Sequence, residues 1–215
     1  MYSYNIFEYY KISSYHIFLS LSYCICERIY CKFMKKACFL DRDGVINEEV
    51  DYLWEPDKVA IIPGVPEALR KLKANGFMTI VITNQAGVAR GLYEEKDIHL
   101  VHERICKILA ENGAGIDAFH YCTHHPEFSG ACACRKPEPG MLLAAAKNHN
   151  LDLHESFMVG DRISDIEAAR NAGCKAAYLV KTGYGTEVIA QNDVSQISIA
   201  ENLLDAVNRF LNADY

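Results

Sequence analysis

The chain lacks any excess of positive charge: its 22 Lys and Arg stand against 28 Asp and Glu, a formal net charge of −6. A general grip on nucleic acid or on an anionic membrane needs the opposite balance. No stripe of basic and aromatic residues restores it locally. Neither nucleic acid nor membrane is therefore expected as a partner, and any bound anion must be held by a local cluster of cations. A continuous apolar run of about 18 residues, the minimum for a membrane helix, is also missing. So are internal repeats and low-complexity linkers. What remains, half hydrophobic and 23% charged over 215 residues, is the composition of one ordinary globular domain.

Residues 1–33 lack Gly, Pro, Ala, Asp and Val, yet carry seven of the thirteen tyrosines. As a secretory signal the segment is poor: Lys11 is the one basic residue before the apolar stretch His16–Cys26, and no Ala-x-Ala site follows. The expectation is that residues 1–33 are an extension outside the domain, with Met34 the effective start, and that residues 34–215 form the domain. A monomer in the cytoplasm is expected.

From Met34 onward, short apolar or β-branched runs alternate with helical periodicity. Ala37–Leu40, Phe77–Thr83, Asp117–Cys122, Ser156–Gly160 and Lys175–Val180 read as strands. Helices are predicted after Pro63-Gly64 through Val65, Leu69 and Leu72, and over Glu94–Asn112, Pro139–Asn148, Ser164–Ala172 and Ile199–Leu211. Regular alternation implies an α/β fold with a mostly parallel sheet covered on both faces, binding ligands beyond the carboxyl ends of its strands.

Chemistry-bearing residues cluster at those ends. Asp41-Arg42-Asp43-Gly44-Val45 directly follows the first strand. Where a strand breaks into a glycine-bearing loop, two carboxylates two residues apart can converge, as a nucleophile with a general acid/base or as two metal ligands. A solvated turn with a capping aspartate is the plainer reading of that pentapeptide alone. Thr83-Asn84-Gln85 ends another strand, Val159-Gly160-Asp161 a third with Asp165 four residues on, and Arg135-Lys136-Pro137 precedes a helix.

In this order and context the four motifs resemble the haloacid dehalogenase (HAD) superfamily of phosphatases over residues 35 to about 185. The resemblance implies a three-layer, Rossmann-like fold and a magnesium-dependent phosphomonoesterase working through an aspartyl-phosphate. By similarity, Asp41 is nucleophile and Mg²⁺ ligand, Asp43 offers its backbone carbonyl to the metal and its side chain as acid/base, and Asp161 completes the protein ligands. Asp165 orients that shell, Thr83 hydrogen-bonds the phosphoryl oxygens, and Lys136 neutralises them. Val45 stands where many members have threonine, which removes one hydroxyl from the loop.

Cys122-Thr123-His124 and Cys132-Ala133-Cys134 form a second constellation. Residues at i and i+2 share one side of an extended backbone, so each pair can bite one ion. Three thiolates and an imidazole suit a closed, structural zinc site. Disulfide pairing competes, but the interposed histidine and a reducing interior favour metal. A zinc loop running into Arg135-Lys136 would fix two cations at the mouth of the site and stand in for a cap domain. The stretch between Asp43 and Thr83 is too short for a large cap, so a capless site is expected.

The zinc loop, Phe39–Asp51 and the Thr83–Gly91 segment place the resemblance in the branch that includes heptose-bisphosphate and histidinol-phosphate phosphatases. By that similarity, Glu49 through Tyr52 and Thr83, Asn84, Gln85 and Ala86 line a small phosphorylated sugar, and Arg135 and Lys136 contribute to its recognition. Histidinol phosphate is the alternative substrate. A non-catalytic zinc-stabilised module is the alternative from outside enzymology; the intact Asp41, Asp43, Lys136 and Asp161 argue against it.

Overall fold

The computed structural model describes residues 34–213, so the expectation for residues 1–33 lies outside the described residues. Strands β1 (Lys36–Leu40) and β2 (Phe77–Asn84) are buried along nearly their whole length. Strands covered on both faces cannot alternate apolar with polar, and so they read as unbroken apolar runs. With β3 (Ala118–Cys122), β4 (Phe157–Gly160), β5 (Ala176–Val180) and β6 (Ser198–Ala200) they form a sheet of order β3-β2-β1-β4-β5-β6. Every adjacent pair is parallel, with Leu40 opposite both Val81 and Val159.

The helices are α1 (Val65–Ala74), α2 (Glu95–Glu111), the one-turn α3 (Pro126–Ser129), α4 (Gly140–His149), α5 (Ile163–Ala172), α6 (Gly185–Gln191) and α7 (Leu203–Asn212). The pleat of the sheet sorts them into two layers. Cys38 and Leu40 of β1 face a core with Leu69 and Leu72 of α1, Val101 and Ile105 of α2, and Val207 of α7. Ala37 and Phe39 face the other way, onto Leu142 and Ala145 of α4 and Ala168 and Ala169 of α5. At the amino ends of the strands Phe157 stacks on Phe210 at 3.8 Å, and Phe77 meets both edge-on at 5.7 Å.

One predicted element is divided. The helix expected from Ile199 begins at Leu203, where the Asn202 side chain caps it by accepting from the Asp205 N–H at 3.0 Å. Ser198–Ala200 is instead the sixth strand, paired with β5. Three residues are too few for a period of two to declare itself in sequence.

Connectivity places the site. The chain moves outward from β1 through β2 to β3, then returns to the far side of β1 to lay down β4 and β5. The connections on either side of β1 therefore diverge, and the carboxyl ends of β1 and β4 open into a crevice. Asp41 follows β1 and Asp161 follows β4; the Asp41 N–H bonds the Val159 carbonyl at 3.0 Å. Between Asp43 and Thr83 the described structure holds loops, a 3₁₀ turn at Pro56–Lys58 and α1, without a separate cap.

Candidate active site

The crevice holds a cleft of about 450 Å³ whose lining includes Asp41, Asp43, Thr83 and Lys136. At its inner end Lys136 is almost fully buried. Its ammonium has three protons and three partners: Asp165 Oδ1 at 2.6 Å, Asp41 Oδ2 at 3.0 Å and the Ile82 carbonyl at 2.7 Å. Burial alone would lower its pKa, but Asp165 and Asp41 outweigh burial and hold it above the ordinary lysine value. Asn84 braces the Lys136 backbone from both sides, accepting from its N–H and donating to its carbonyl, each at 3.1 Å.

Asp41 and Asp161 sit in the same dry corner. Burial raises Asp41 to about 6, helped by Asp165 and Asp43 and opposed by Lys136. Burial, then Asp41 and Asp165, push Asp161 further, to about 8. Gly44, at φ +78°, lets the loop after β1 pass against Asp161; a Cβ there would collide with the Asp161 carboxylate.

Asp43 lives in a different environment. The Arg42 guanidinium, itself fully buried, grips both Asp43 oxygens, with Nη2 at 2.8 Å and Nε at 3.1 Å from Oδ2. Asn47 Nδ2 donates to Oδ1 at 2.9 Å, and Gln85 Nε2 to Oδ2 at 3.1 Å. Gln85 Nε2 also lies 2.9 Å from Thr83 Oγ1, and Gln85 Oε1 accepts from the Tyr93 hydroxyl at 2.8 Å. Gln85 thus ties the β2 end to the acid/base candidate. Reasoning from sequence overlooked Arg42 and Tyr93, since an arginine between two aspartates reads as a solvated charge.

The mouth of the cleft is wetter and carries cations. Arg135 donates to the His124 carbonyl at 3.1 Å, so the cysteine loop sets its position. Arg90 lies between the rings of Phe128 and Tyr52, 5.2 and 5.8 Å from their centroids, and is 3.1 Å from His125 Nε2. Arg162 also lines this rim, as do Glu49, Tyr52 and Ala86. Burial, then the charge of Asp43, raises Glu49 to about 7. Arg90 and Arg162 were not singled out from the sequence, in which they carry no spacing signal.

Among the described residues, two groups of side chains fit metals. Oxygens of Asp41, Asp161 and Asp165 lie within 4.8 Å of one another, and Asp161 Oδ1 is buried with no hydrogen-bond partner. Three crowded carboxylates with an unpartnered oxygen suit a hard divalent cation. Both Asp165 oxygens are engaged, by Lys136 and by the Arg162 N–H at 3.0 Å, and both Asp41 oxygens accept as well, from the Arg42 N–H at 2.7 Å and from Lys136 at 3.0 Å, so the unpartnered Asp161 Oδ1 is the atom that most directly invites an ion. At the end of β3, Cys122, Cys132 and Cys134 bring their sulfurs within 3.0–3.5 Å, and His124 Nδ1 lies 3.6 Å from Cys122 Sγ. A disulfide needs about 2.05 Å, and all three cysteines are free. The donor set suits zinc.

A doubly covered parallel sheet with paired aspartates beyond β1, a hydroxyl beyond β2, a buried lysine and an acid beyond β4 defines a hydrolase of the haloacid dehalogenase class. A HAD-hydrolase-like family model matches residues 133–206. The D-glycero-beta-D-manno-heptose-1,7-bisphosphate 7-phosphatase of Pasteurella multocida is 46% identical over 154 residues, covering 70% of this chain and 84% of the relative. The D-glycero-D-manno-heptose-1,7-bisphosphate 7-phosphatase of Thermosynechococcus vestitus is 42% identical over 185 residues, covering 80% of this chain and 94% of the relative. Among solved structures, the D,D-heptose 1,7-bisphosphate phosphatase of B. bronchiseptica, complexed with magnesium and phosphate, superposes with a TM-score of 0.75 at 36% identity. That match covers 82% of this chain and 98% of the other. The chain belongs to the family of D-glycero-D-manno-heptose-1,7-bisphosphate 7-phosphatases.

Proposed function

We propose that the protein removes the 7-phosphate of D-glycero-D-manno-heptose 1,7-bisphosphate, in the cytoplasm, as a step toward nucleotide-activated heptose for surface glycans. The observation that carries this reading is a cleft with two anion-accepting ends. Lys136 and Asp41 stand at the inner end, beside the carboxylates that would hold a cation there, while Arg90, Arg135 and Arg162 line the rim. A bisphosphate seats one phosphoryl group inside and projects the other toward the rim, which a capless site allows. One chain supplies all these groups, so the proposed site is complete in a monomer.

Asp41 attacks the 7-phosphorus: a bond forms from its carboxylate oxygen to phosphorus as the bond from phosphorus to the sugar oxygen breaks. Asp43 gives its proton to that leaving oxygen. In the second half, Asp43 takes a proton from the water that attacks the aspartyl-phosphate, releasing inorganic phosphate and restoring Asp41. Thr83 hydrogen-bonds the phosphoryl oxygens, the charge of Lys136 behind Asp41 helps to neutralise them, and Arg42, Asn47 and Gln85 aim Asp43. A Mg²⁺ held by Asp41, Asp161 and the Asp43 backbone carbonyl would supply the positive charge that offsets the repulsion between a carboxylate and a phosphate dianion. Zinc on Cys122, His124, Cys132 and Cys134 would tie down the loop that carries Arg135. Glu49–Tyr52 and Thr83–Ala86 face the sugar.

Histidinol phosphate is the second reading, because Glu49 and Asp51 place at the cleft the carboxylates that its amine would need. The test is a steady-state comparison of kcat/KM for both anomers of the heptose bisphosphate and for histidinol phosphate, with magnesium present. A heptose anomer is expected to lead by at least about tenfold, the worth of about one well-placed charged contact; a lead for histidinol phosphate would overturn the reading.

A further inference from the structure

Thr182–Tyr184, the segment after β5, touches three separate pieces of the site. Thr182 Oγ1 donates to the Gly44 carbonyl in the catalytic loop at 2.6 Å. The Tyr184 N–H donates to Asp161 Oδ2 at 2.8 Å. The Tyr184 phenol donates to Asp51 Oδ1 at 2.7 Å, across 133 positions of sequence. Gly183, at φ +58°, fits between Gly44 and Asp161, where a Cβ would collide with both. The Arg162 guanidinium lies 4.0 Å over the Tyr184 ring and restricts its orientation.

The loop that Tyr184 reaches needs such a hold. Tyr52 has φ +57°, a left-handed conformation for a bulky residue. Conformations of that kind persist where neighbours over-determine them, and they collect at ligand-binding sites. On one side of the turn Leu53 is buried, and its carbonyl accepts from Arg42 at 3.4 Å. On the other, Asn47 Nδ2 donates to the Glu48 carbonyl at 2.9 Å. The exposed tip between these anchors is held from across the cleft by the bond from Tyr184 to Asp51.

We propose that Tyr184 is a positioning and specificity residue: its phenol holds the Asp51–Tyr52 turn against the far part of the substrate while its backbone holds Asp161. One three-residue segment thereby sets the spacing between the phosphoryl end of the cleft and the loop that faces the sugar. The Asp51 hydrogen bond pushes the phenol up to about 12, in keeping with its role as the donor. The inference rests on the sugar-bisphosphate reading above.

Tyr184→Phe tests it in the full chain, since the ring, its stacking and the backbone N–H all remain. KM for the heptose bisphosphate is expected to rise about fivefold with kcat within about twofold, the loss of one partly solvated hydrogen bond. Amide hydrogen exchange over residues 50–53 should accelerate by a similar factor. Asp51→Ala should match it, the double variant should be no worse than either single one, and Asp51→Asn, which keeps the acceptor oxygen, should recover most of the Asp51→Ala loss. Unchanged KM and exchange, a fall in kcat alone, or additive effects would overturn the proposal. If the unaltered enzyme fails to hydrolyse the bisphosphate, the substrate reading fails by itself and exchange decides the tether: faster exchange in Tyr184→Phe supports it, and unchanged exchange sinks it.

Discussion

Among the described residues stand two groups of metal-ready side chains that differ in origin and in burial. The carboxylates of Asp41, Asp161 and Asp165 are buried and come from the end of β1, the end of β4 and the first turn of α5. The cysteine cluster comes from one strand end and one loop, is partly exposed, and uses soft sulfur with one nitrogen. Burial in this dry corner, with repulsion between the crowded carboxylates added to it, raises both Asp41 and Asp161, and Lys136 offsets the rise in part at Asp41. A cluster of that kind stays open to an exchangeable cation and an anionic substrate. The sulfur cluster offers four donors for a closed tetrahedron, which suits holding a loop and not turning over a substrate. Position along the sheet separates the two: the carboxylates gather at the switch point between β1 and β4, and the sulfurs at the outer strand β3.

The largest effect expected is on Asp41. Asp41→Asn should lower kcat by at least about 10⁴-fold, as removal of a covalent nucleophile does, while thermal unfolding shows the fold retained; residual activity near one per cent would assign the nucleophile elsewhere. Lys136→Met should damage both chemistry and fold. It leaves Asp41 and Asp165 buried without their shared cation, a loss of about 3–5 kcal/mol in denaturant unfolding. An unchanged midpoint would show that the corner is better solvated than its burial implies.

Cys132→Ser probes the other cluster. Metal analysis should fall from about one zinc per chain to none, and the melting temperature by about 10 °C, or about 3 kcal/mol at 2–4 °C per kcal/mol for a domain of this size. The effect on kcat/KM should be smaller than that on stability and should run through Arg135. If zinc and melting temperature both survive, the closed-site reading of the loop fails.

A smaller effect separates the rim from the interior. Folding holds Glu49 protonated up to about pH 7 against an ordinary value of 4.5. Its raised pKa favours the folded state below pH 4.5, and that contribution is lost as pH rises through 7. Binding follows the same sign, because a neutral carboxyl at the rim repels a phosphate dianion less. KM should therefore rise modestly between pH 6 and 8, and Glu49→Gln should flatten that part of the profile. A profile that keeps its slope in the variant would place the titration elsewhere.

Much of this was legible before the fold. The apolar runs from Ala37 and Phe77, each ending in polar residues, identify buried strands and the edge at which their chemistry gathers. The C-x-H and C-x-C pairs name their ligand chemistry by residue type and spacing. Illegible were contacts that bridge long separations with no local pattern: Tyr184 to Asp51, Tyr93 to Gln85, and Arg90 between Phe128 and Tyr52. Arg42 misleads because its surroundings in sequence are hydrophilic, although packing removes it wholly from water. Ser198–Ala200 was lost to brevity.

Sequence alone determined which functional groups exist, the order in which strands deliver them, and the hard and soft donors on offer, since these follow from side-chain type and from periodicity along the chain. Tertiary structure alone decided which aspartates share a dry corner, which amide and guanidinium hold Asp43, and which tyrosine reaches Asp51. Those outcomes depend on distance and desolvation, which come into being only when separate strand ends are packed side by side.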